Sequence, residues 1–184
     1  VKWIPPAIGA WEKISSSSKV LTRLYARPYR RVIENEIRLG RLGRDDIILN
    51  IGCGAVPFTA LYLTSITGAG IYAMDMDPRA VDLAEKCVAK AGLSNKITVL
   101  QGDGAEMFGR PFTASIVALQ AAPKNAILNV LQKAAAPGAR FIFRLPSMPY
   151  KDQYDALSTN RPAAASTMQP MRTFDRSVMY LNAA

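Results

Sequence analysis

The sequence predicts an α/β fold, a mostly parallel sheet with helices on both faces, from three observations. Short, near-continuous apolar runs recur along the chain; stretches with helical periodicity separate them; and several runs end in glycine or aspartate. Residues that are apolar without alternation belong to strands buried on both sides, as parallel strands are. Right-handed crossovers through each helix then return the chain to the same sheet.

The elements follow in order. Pro5, Pro6 and the serines at 15–18 punctuate the start, so only a short helix or loose arm is expected there. Residues 19–27 are compatible with a helix. From Pro28, the apolar positions Val32, Ile33, Ile37 and Leu39 fall at near-helical spacing, with Pro28 suited to a first turn and Gly40 to a C-terminal cap. A first strand is expected at 47–51, ending in Gly52, followed by a helix over 57–67, a strand over 70–74 and a helix over 78–91 closed by Gly92. Strands at 97–101 and 115–119 come next, then a helix over 124–136 stopped by Pro137 and Gly138, and a strand over 139–145. In the tail, 152–158 reads as a helix, 161–166 as a loop and 177–181 as a last antiparallel strand.

Composition narrows the functions. With 184 residues and 49% apolar content the chain can bury one good core. It contains no run of the roughly 18 to 20 apolar residues needed to span a membrane, and its start lacks a signal-peptide pattern, so a cytoplasmic protein is expected. Cys53 and Cys87 are not spaced as metal ligands and read as reduced thiols. The absence of histidine removes the usual general base and the Ser-His-Asp and Cys-His systems. The net charge of +9 gathers early, at Arg23, Arg27, Arg30, Arg31, Arg38, Arg41 and Arg44 among others, yet no nucleic-acid-binding motif accompanies it. Nucleic acid is not the expected partner.

Chemistry concentrates at the strand ends, since open α/β sheets bind ligands at their carboxyl edge. Gly52, Cys53 and Gly54 form a tight turn before a helix, where bare backbone and unpaired N–H groups can meet a ligand. Asp75 follows the second strand about 20 residues later and is a candidate acceptor for ribose hydroxyls, while Asp77 is placed to cap the helix opened by Pro78. Asp103, between Gly102 and Gly104, offers a carboxylate to an exocyclic amine such as that of adenine. The turn reads Gly-x-Gly-x-x-Pro, without the third small residue that a dinucleotide site uses, and no Walker A loop is present. S-adenosylmethionine is therefore the expected cofactor.

In the order of its elements, with Asn50-Ile51-Gly52-Cys53-Gly54, Met74-Asp75-Met76-Asp77-Pro78 and Gln101-Gly102-Asp103-Gly104, the chain resembles class I S-adenosylmethionine-dependent methyltransferases, a Rossmann-like fold. Asn50 stands where that superfamily often has an acidic residue. A narrower likeness is to nicotianamine synthase and related opine metallophore enzymes, through Tyr25, Pro28, Tyr29, Asn35, Glu36, Leu39-Gly40, Gly52-Cys53-Gly54, Pro57-Phe58-Thr59, Ala122-Pro123-Lys124 and Phe143-Arg144. Those enzymes transfer the aminocarboxypropyl arm of the cofactor to an amine, with a preceding helical domain that helps enclose the substrate. The resemblance implies a helical lead and cap over 1–44 and a binding domain over 45–184. It implies a cofactor site of Gly52, Cys53, Gly54, Pro57, Thr59, Asp75, Met76, Asp103, Gly104, Ala105, Gln120 and Arg144.

Both reactions are displacements at a carbon bound to a sulfonium, so the protein's task is alignment and exclusion of water. With histidine absent, the candidate bases are Tyr25, Tyr29, Glu36 and Tyr150, Glu36 having the alternative of a surface pair with Arg38 or Arg41. Arg144, ending an apolar strand, is expected to pair with a carboxylate: the cofactor's, a substrate's or an internal one. Cys53 reads as a small pocket residue. The expected activity is methyl transfer to a small molecule; the alternatives are aminocarboxypropyl transfer and a non-catalytic binding module needing a partner. Few residues precede Tyr25, so an open pocket edge is expected, covered by Trp3, Ile4, Ile8 and Trp11 or by a second copy or partner.

Overall fold

The computed structural model describes the backbone of residues 19–183 and side chains from Tyr29 onward. Trp3, Ile4, Ile8, Trp11 and the side chain of Tyr25 lie outside the described residues. The elements are α1 (Lys19–Gly40), β1 (Ile47–Ile51), α2 (Phe58–Thr67), β2 (Gly70–Asp75), α3 (Pro78–Lys90), β3 (Ile97–Gln101), β4 (Ala114–Val117), α4 (Lys124–Ala134), β5 (Arg140–Pro146), a 3-10 turn (Met148–Tyr150), β6 (Ala165–Met168) and β7 (Phe174–Leu181).

One seven-stranded sheet has the order β3-β2-β1-β4-β5-β7-β6. β1 pairs in parallel with both β2 and β4, so the strand order reverses beside it and leaves a crevice at its carboxyl end. β7 runs antiparallel between β5 and β6. The two faces of β1 enter different cores. Ile48 packs with Ile33 of α1, Ala60 and Leu63 of α2 and Ile142 of β5, whereas Leu49 and Ile51 pack with Ile127, Leu128 and Leu131 of α4. A strand clothed on both sides needs consecutive apolar residues, which is why 47–51 shows no alternation.

Four expectations are corrected. Pro28 does not open a helix but lies inside the continuous α1, where its missing N–H removes one internal hydrogen bond without ending the helix. Gly40 is not the left-handed cap: Arg41 takes that conformation at φ 47°. Gly40 instead permits close approach, since a Cβ there would sit 2.9 Å from Ile142 Cδ1. Residues 152–158 are not helical, because tertiary anchors override weak local propensity: Tyr154 packs against Val32, Leu119 and Phe174, Leu157 joins the other core, and Ser158 N–H donates to Asn125 Oδ1 at 3.0 Å. Finally, part of the expected 161–166 loop begins β6, a four-residue edge strand too short and too polar to announce itself.

Ile33 is wholly buried at the junction of α1, α2 and the sheet. Truncation there removes packed methylenes that the surrounding strands cannot follow. Ile33→Ala is expected to lower unfolding free energy by about 2–5 kcal/mol, read as a lower urea midpoint with unchanged slope.

Candidate functional site

Three loops meet at the carboxyl edge around β1. After Ile51 the chain turns through Gly52 (φ 76°) and Gly54 (φ 69°), a left-handed pair that side chains with a Cβ adopt at a cost. Their position is fixed from β2: Met74 C=O accepts from Gly52 N–H and Cys53 N–H at 2.9 and 3.0 Å, and Asp75 Oδ2 accepts from Gly54 N–H at 2.8 Å. Asp75 Oδ1 accepts from Asp77 N–H at 3.1 Å, so each carboxylate oxygen keeps a lone pair beyond the one engaged. Asp77 caps α3, its Oδ1 accepting from Arg79 N–H at 2.9 Å, as its place before Pro78 implies.

The third loop is anchored to the second, Gly102 N–H donating to Asp75 C=O at 3.0 Å. Asp103 Oδ1 accepts from Ala105 N–H at 2.8 Å, and Oδ2 has no partner among the described residues. Gly104 is closely cradled, since a Cβ there would lie 2.5 Å from Ile51 Cγ2. Over Gly54, by contrast, nothing lies within 4 Å of where a Cβ would stand, so bare backbone faces open space. Met76 and Met107, each 65% exposed, flank the two aspartates with apolar surface. Carboxylate acceptors, exposed main chain and unburied thioethers fit the hydroxyls, amine and flat face of a nucleoside.

Beside the glycine turn, the first turn of α2 meets a buried polar network. Arg144 of β5 is 1% exposed, and Glu36 of α1 is 0% exposed. Arg144 Nε and Nη2 donate to the two oxygens of Glu36 at 2.8 and 2.7 Å, Nη1 to the Tyr29 hydroxyl at 2.7 Å, and Nη2 also to Thr59 Oγ1 at 3.1 Å. Ser177 Oγ of β7 donates to Glu36 Oε1 at 2.9 Å. The guanidinium carbon lies 5.2 Å from the Tyr29 ring centre and 5.6 Å from that of Phe174. Glu36 raises the affinity of Arg144 for its proton against the opposing effect of burial, which places that pKa above the ordinary arginine range.

Glu36 is therefore no surface partner of Arg38 or Arg41, and the carboxylate facing Arg144 is an internal one. The helical spacing of α1 shows which face is buried, but whether a glutamate on that face is solvated depends on a cation 108 residues away in sequence. Thr59 is drawn into this network, and Pro57 precedes α2 at the turn. Tyr29 accepts from Arg144, which leaves its own O–H without an acceptor among the described residues. Tyr150 is half-buried at the end of the 3-10 turn, apart from that network, and Gln120 is exposed in the loop after β4. Cys53 is a thiol pushed up to about 12 by burial and by Asp75, which suits a pocket wall and not a nucleophile. Asn50 Oδ1, buried in β1 two residues before Gly52, has no partner among the described residues.

Sequence reasoning gave one residue no role beyond its place in the Ala122-Pro123-Lys124 likeness. Lys124, at the start of α4, is wholly buried, its ammonium donating to Leu119 C=O at 2.7 Å and Ala121 C=O at 3.0 Å. Burial pulls its pKa from 10.5 to about 8, with Asp155 opposing. A helix is expected from 124, and nothing in the local pattern marks a first-turn lysine as dry. An open groove of about 540 Å³, lined by Arg31, Asn35, Arg38, Met168 and Gln169 among others, shares no residue with the three loops.

Two outcomes follow from these buried charges. Arg144→Leu strands the Glu36 carboxylate and is expected to cost about 3–5 kcal/mol, whereas Arg144→Leu with Glu36→Leu recovers much of the loss, both read by urea unfolding. For Lys124 the folded pKa lies below the unfolded one, so between about pH 8 and 10.5 the unfolded chain holds a proton that the native chain has lost. Stability due to this residue then rises with pH across that window, by on the order of 3 kcal/mol, and lies at its lowest below pH 8. Lys124→Met should remove that rise when the two chains' melts are subtracted.

No family model matches the chain. It is 32% identical over 130 residues to the L-histidine 2-aminobutanoyltransferase of Yersinia pestis, covering 71% of this chain and 48% of that protein. To the probable cobalt-precorrin-6B C(15)-methyltransferase (decarboxylating) of Methanothermobacter thermautotrophicus it is 24% identical over 106 residues, 56% of this chain and 54% of that one. The chain thus spans about half the length of the curated relatives it matches. A solved structure of a mutant of the nicotianamine synthase MtNAS in complex with S-adenosylmethionine superposes with a TM-score of 0.78 at 23% identity, covering 89% of this chain and 65% of that one. With the 3-2-1-4-5-7-6 sheet and the Gly52–Gly54 turn locked to Asp75, these likenesses show the Rossmann-like fold of class I S-adenosylmethionine-dependent methyltransferases.

Proposed function

We propose that the chain binds S-adenosylmethionine at the carboxyl edge of β1, β2 and β3 and serves the transfer of a carbon group to a small-molecule acceptor, methyl transfer being the first reading. The observation that carries this is the left-handed Gly52–Gly54 turn held to Asp75, open above Gly54. The free lone pairs of Asp75 are suited to ribose hydroxyls, Asp103 Oδ2 to the adenine amine, and Met76, Gly104 and Ala105 to the base. Gly52, Cys53, Pro57, Thr59 and Gln120 complete the proposed wall. When bound, the cofactor supplies an electrophilic carbon on a sulfonium. The chain's part is then to orient the acceptor and keep water out. The methyltransferase relative supports this first reading.

A second reading, transfer of the 3-amino-3-carboxypropyl arm to an amine, is supported by the aminobutanoyltransferase relative and by Tyr29. That tyrosine sits beside Phe58 at the head of α2, ring centres 6.1 Å apart, with its O–H uncommitted. Tyr29, Tyr150 and Tyr25 are the groups proposed to meet the acceptor. Glu36 and Arg144, sealed from solvent, act by positioning Tyr29 and Thr59. The lead over 1–44 and the binding domain over 45–184 are proposed as cap and cofactor module. A second copy or partner over the edge is supported by the exposed Met76, Met107 and Met148 there. Among the described residues no helix is long and apolar enough to cross a membrane, and the cytoplasm is the compartment this reading implies.

Asp75→Ala is expected to weaken S-adenosylmethionine binding by about 1.5–3 kcal/mol, roughly 10- to 150-fold, by calorimetry on the folded variant. An unchanged dissociation constant removes Asp75 from the site. Mass analysis after incubation with amine-rich extracts separates the two readings: adenosylhomocysteine marks methyl transfer and methylthioadenosine marks aminocarboxypropyl transfer.

A further inference from the structure

Lys124 has no part in the site as derived so far, yet its surroundings are built. Its ammonium donates to Leu119 and Ala121 carbonyls, and its backbone N–H donates to Asp155 Oδ2 at 2.5 Å. Both carbonyls belong to the loop after β4, and that loop backs the glycine turn: a Cβ on Gly52 would lie 3.1 Å from Ala118 Cβ and 3.6 Å from Ala121 Cβ. Asp155 belongs to the segment that follows the 3-10 turn, and Ser158 N–H ties the same segment to Asn125 Oδ1. One residue thus joins three pieces: the wall behind Gly52, the head of α4 and the segment crossing it.

We propose that Lys124 is a positioning residue for the cofactor site, its ammonium holding the 119–121 loop against the Gly52 turn so that the turn keeps its ligand-ready shape. The physical reason lies in the donors. A charged amine gives strong, short bonds to two carbonyls that otherwise have no reason to converge, and bonds from an ionised donor are roughly twice as strong as neutral ones. The lysine side chain is sealed from solvent, so water replaces these bonds poorly. A lysine buried this fully is costly to keep, and an apolar residue of similar length would fill the space without that cost. What the apolar residue would lose is the shape of the loop.

Charge is central to the proposal, so pH reads it. The ionisable group that faces Lys124 from the packed elements is Asp155; the loop presents backbone carbonyls. Losing the proton leaves a neutral amine whose bonds to both carbonyls are weaker, and the loop loosens as the fold itself gains stability. Stability and ligand affinity then move in opposite directions with pH, which a purely structural lysine does not require.

The inference rests on the cofactor reading above, and the test separates the two. The full chain, Lys124→Met and Lys124→Arg are titrated with S-adenosylhomocysteine by calorimetry at pH 7 and pH 9.5, with amide exchange of the 118–124 segment followed without ligand. The amine of the probe titrates equally for all three proteins, so ratios of dissociation constants isolate the protein. Expected are a five- to twenty-fold loss for Lys124→Met at pH 7, faster exchange in 118–124, recovery of most of the affinity in Lys124→Arg, and a wild-type to Lys124→Arg ratio that worsens several-fold by pH 9.5. Lys124→Met binding within two-fold of wild type with unchanged exchange overturns the proposal, as does a folded Lys124→Arg that binds no better than Lys124→Met. Should Lys124→Met not fold, a wild-type loop whose intrinsic-rate-corrected exchange is flat from pH 7 to 9.5 overturns it alone. Wild type that binds no S-adenosylhomocysteine at either pH sinks the cofactor reading itself.

Discussion

The bidentate pair of Arg144 with Glu36 is the contact on which the docking of α1 and α2 against β5 and β7 depends. It is dry, so neither charge can exist there without the other, and the cost of separating them from water is offset only because every other strong partner is supplied by the fold: Tyr29 from α1, Thr59 from α2 and Ser177 from β7. A network of this kind sets the register of α1 on the sheet. Sliding the helix by one residue would turn Glu36 away from Arg144 and leave both unsatisfied, a penalty that apolar packing alone would not impose.

A separate set of bonds brings the site residues together. Asp75 and Asp103 are placed by strands, and the glycine turn is placed by β2 through main-chain bonds, so the cofactor side is made of rigid parts. Its flank belongs to α1 and α2, joined by the ion pair and by the Tyr29–Phe58 contact. The strand-borne part is held by main-chain bonds, and the helical flank is joined to it by side chains alone.

Much of this was legible in the sequence because parallel strands are buried on both faces and announce themselves as unbroken apolar runs. Ile47–Ile51, Gly70–Asp75 and Ile97–Gln101 emerged almost to the residue, and the aspartates that end or follow them carried the cofactor reading with them. Asp77 showed its capping role because Pro78 stood next to it. Illegible were features set by distant partners. Glu36 reads in the sequence as a candidate base or a surface partner, and its buried pairing shows only once Arg144 is placed against it, as that of Lys124 shows only once the loop after β4 closes over it. β6 escaped because an edge strand of four residues with small polar side chains has neither the apolar run of a central strand nor a sustained alternation. The cap on α1 was misread because Arg41 adopts the conformation that Gly40 advertises.

The position of β7 has a consequence for how the chain reaches this state. Glu36 meets Arg144 across 108 residues and Ser177 across 141, and β5 finds its outer neighbour only after the β6 segment has been passed. Contacts so distant along the chain close late, after the local βα units have formed, and topologies rich in them fold slowly. During synthesis, Glu36 leaves the ribosome long before either partner exists and must wait hydrated, with the apolar face of α1 unsheltered beside it. The order of synthesis therefore delivers β1, β2 and β3 well before Arg144 and Ser177, the residues that tie down the helical flank.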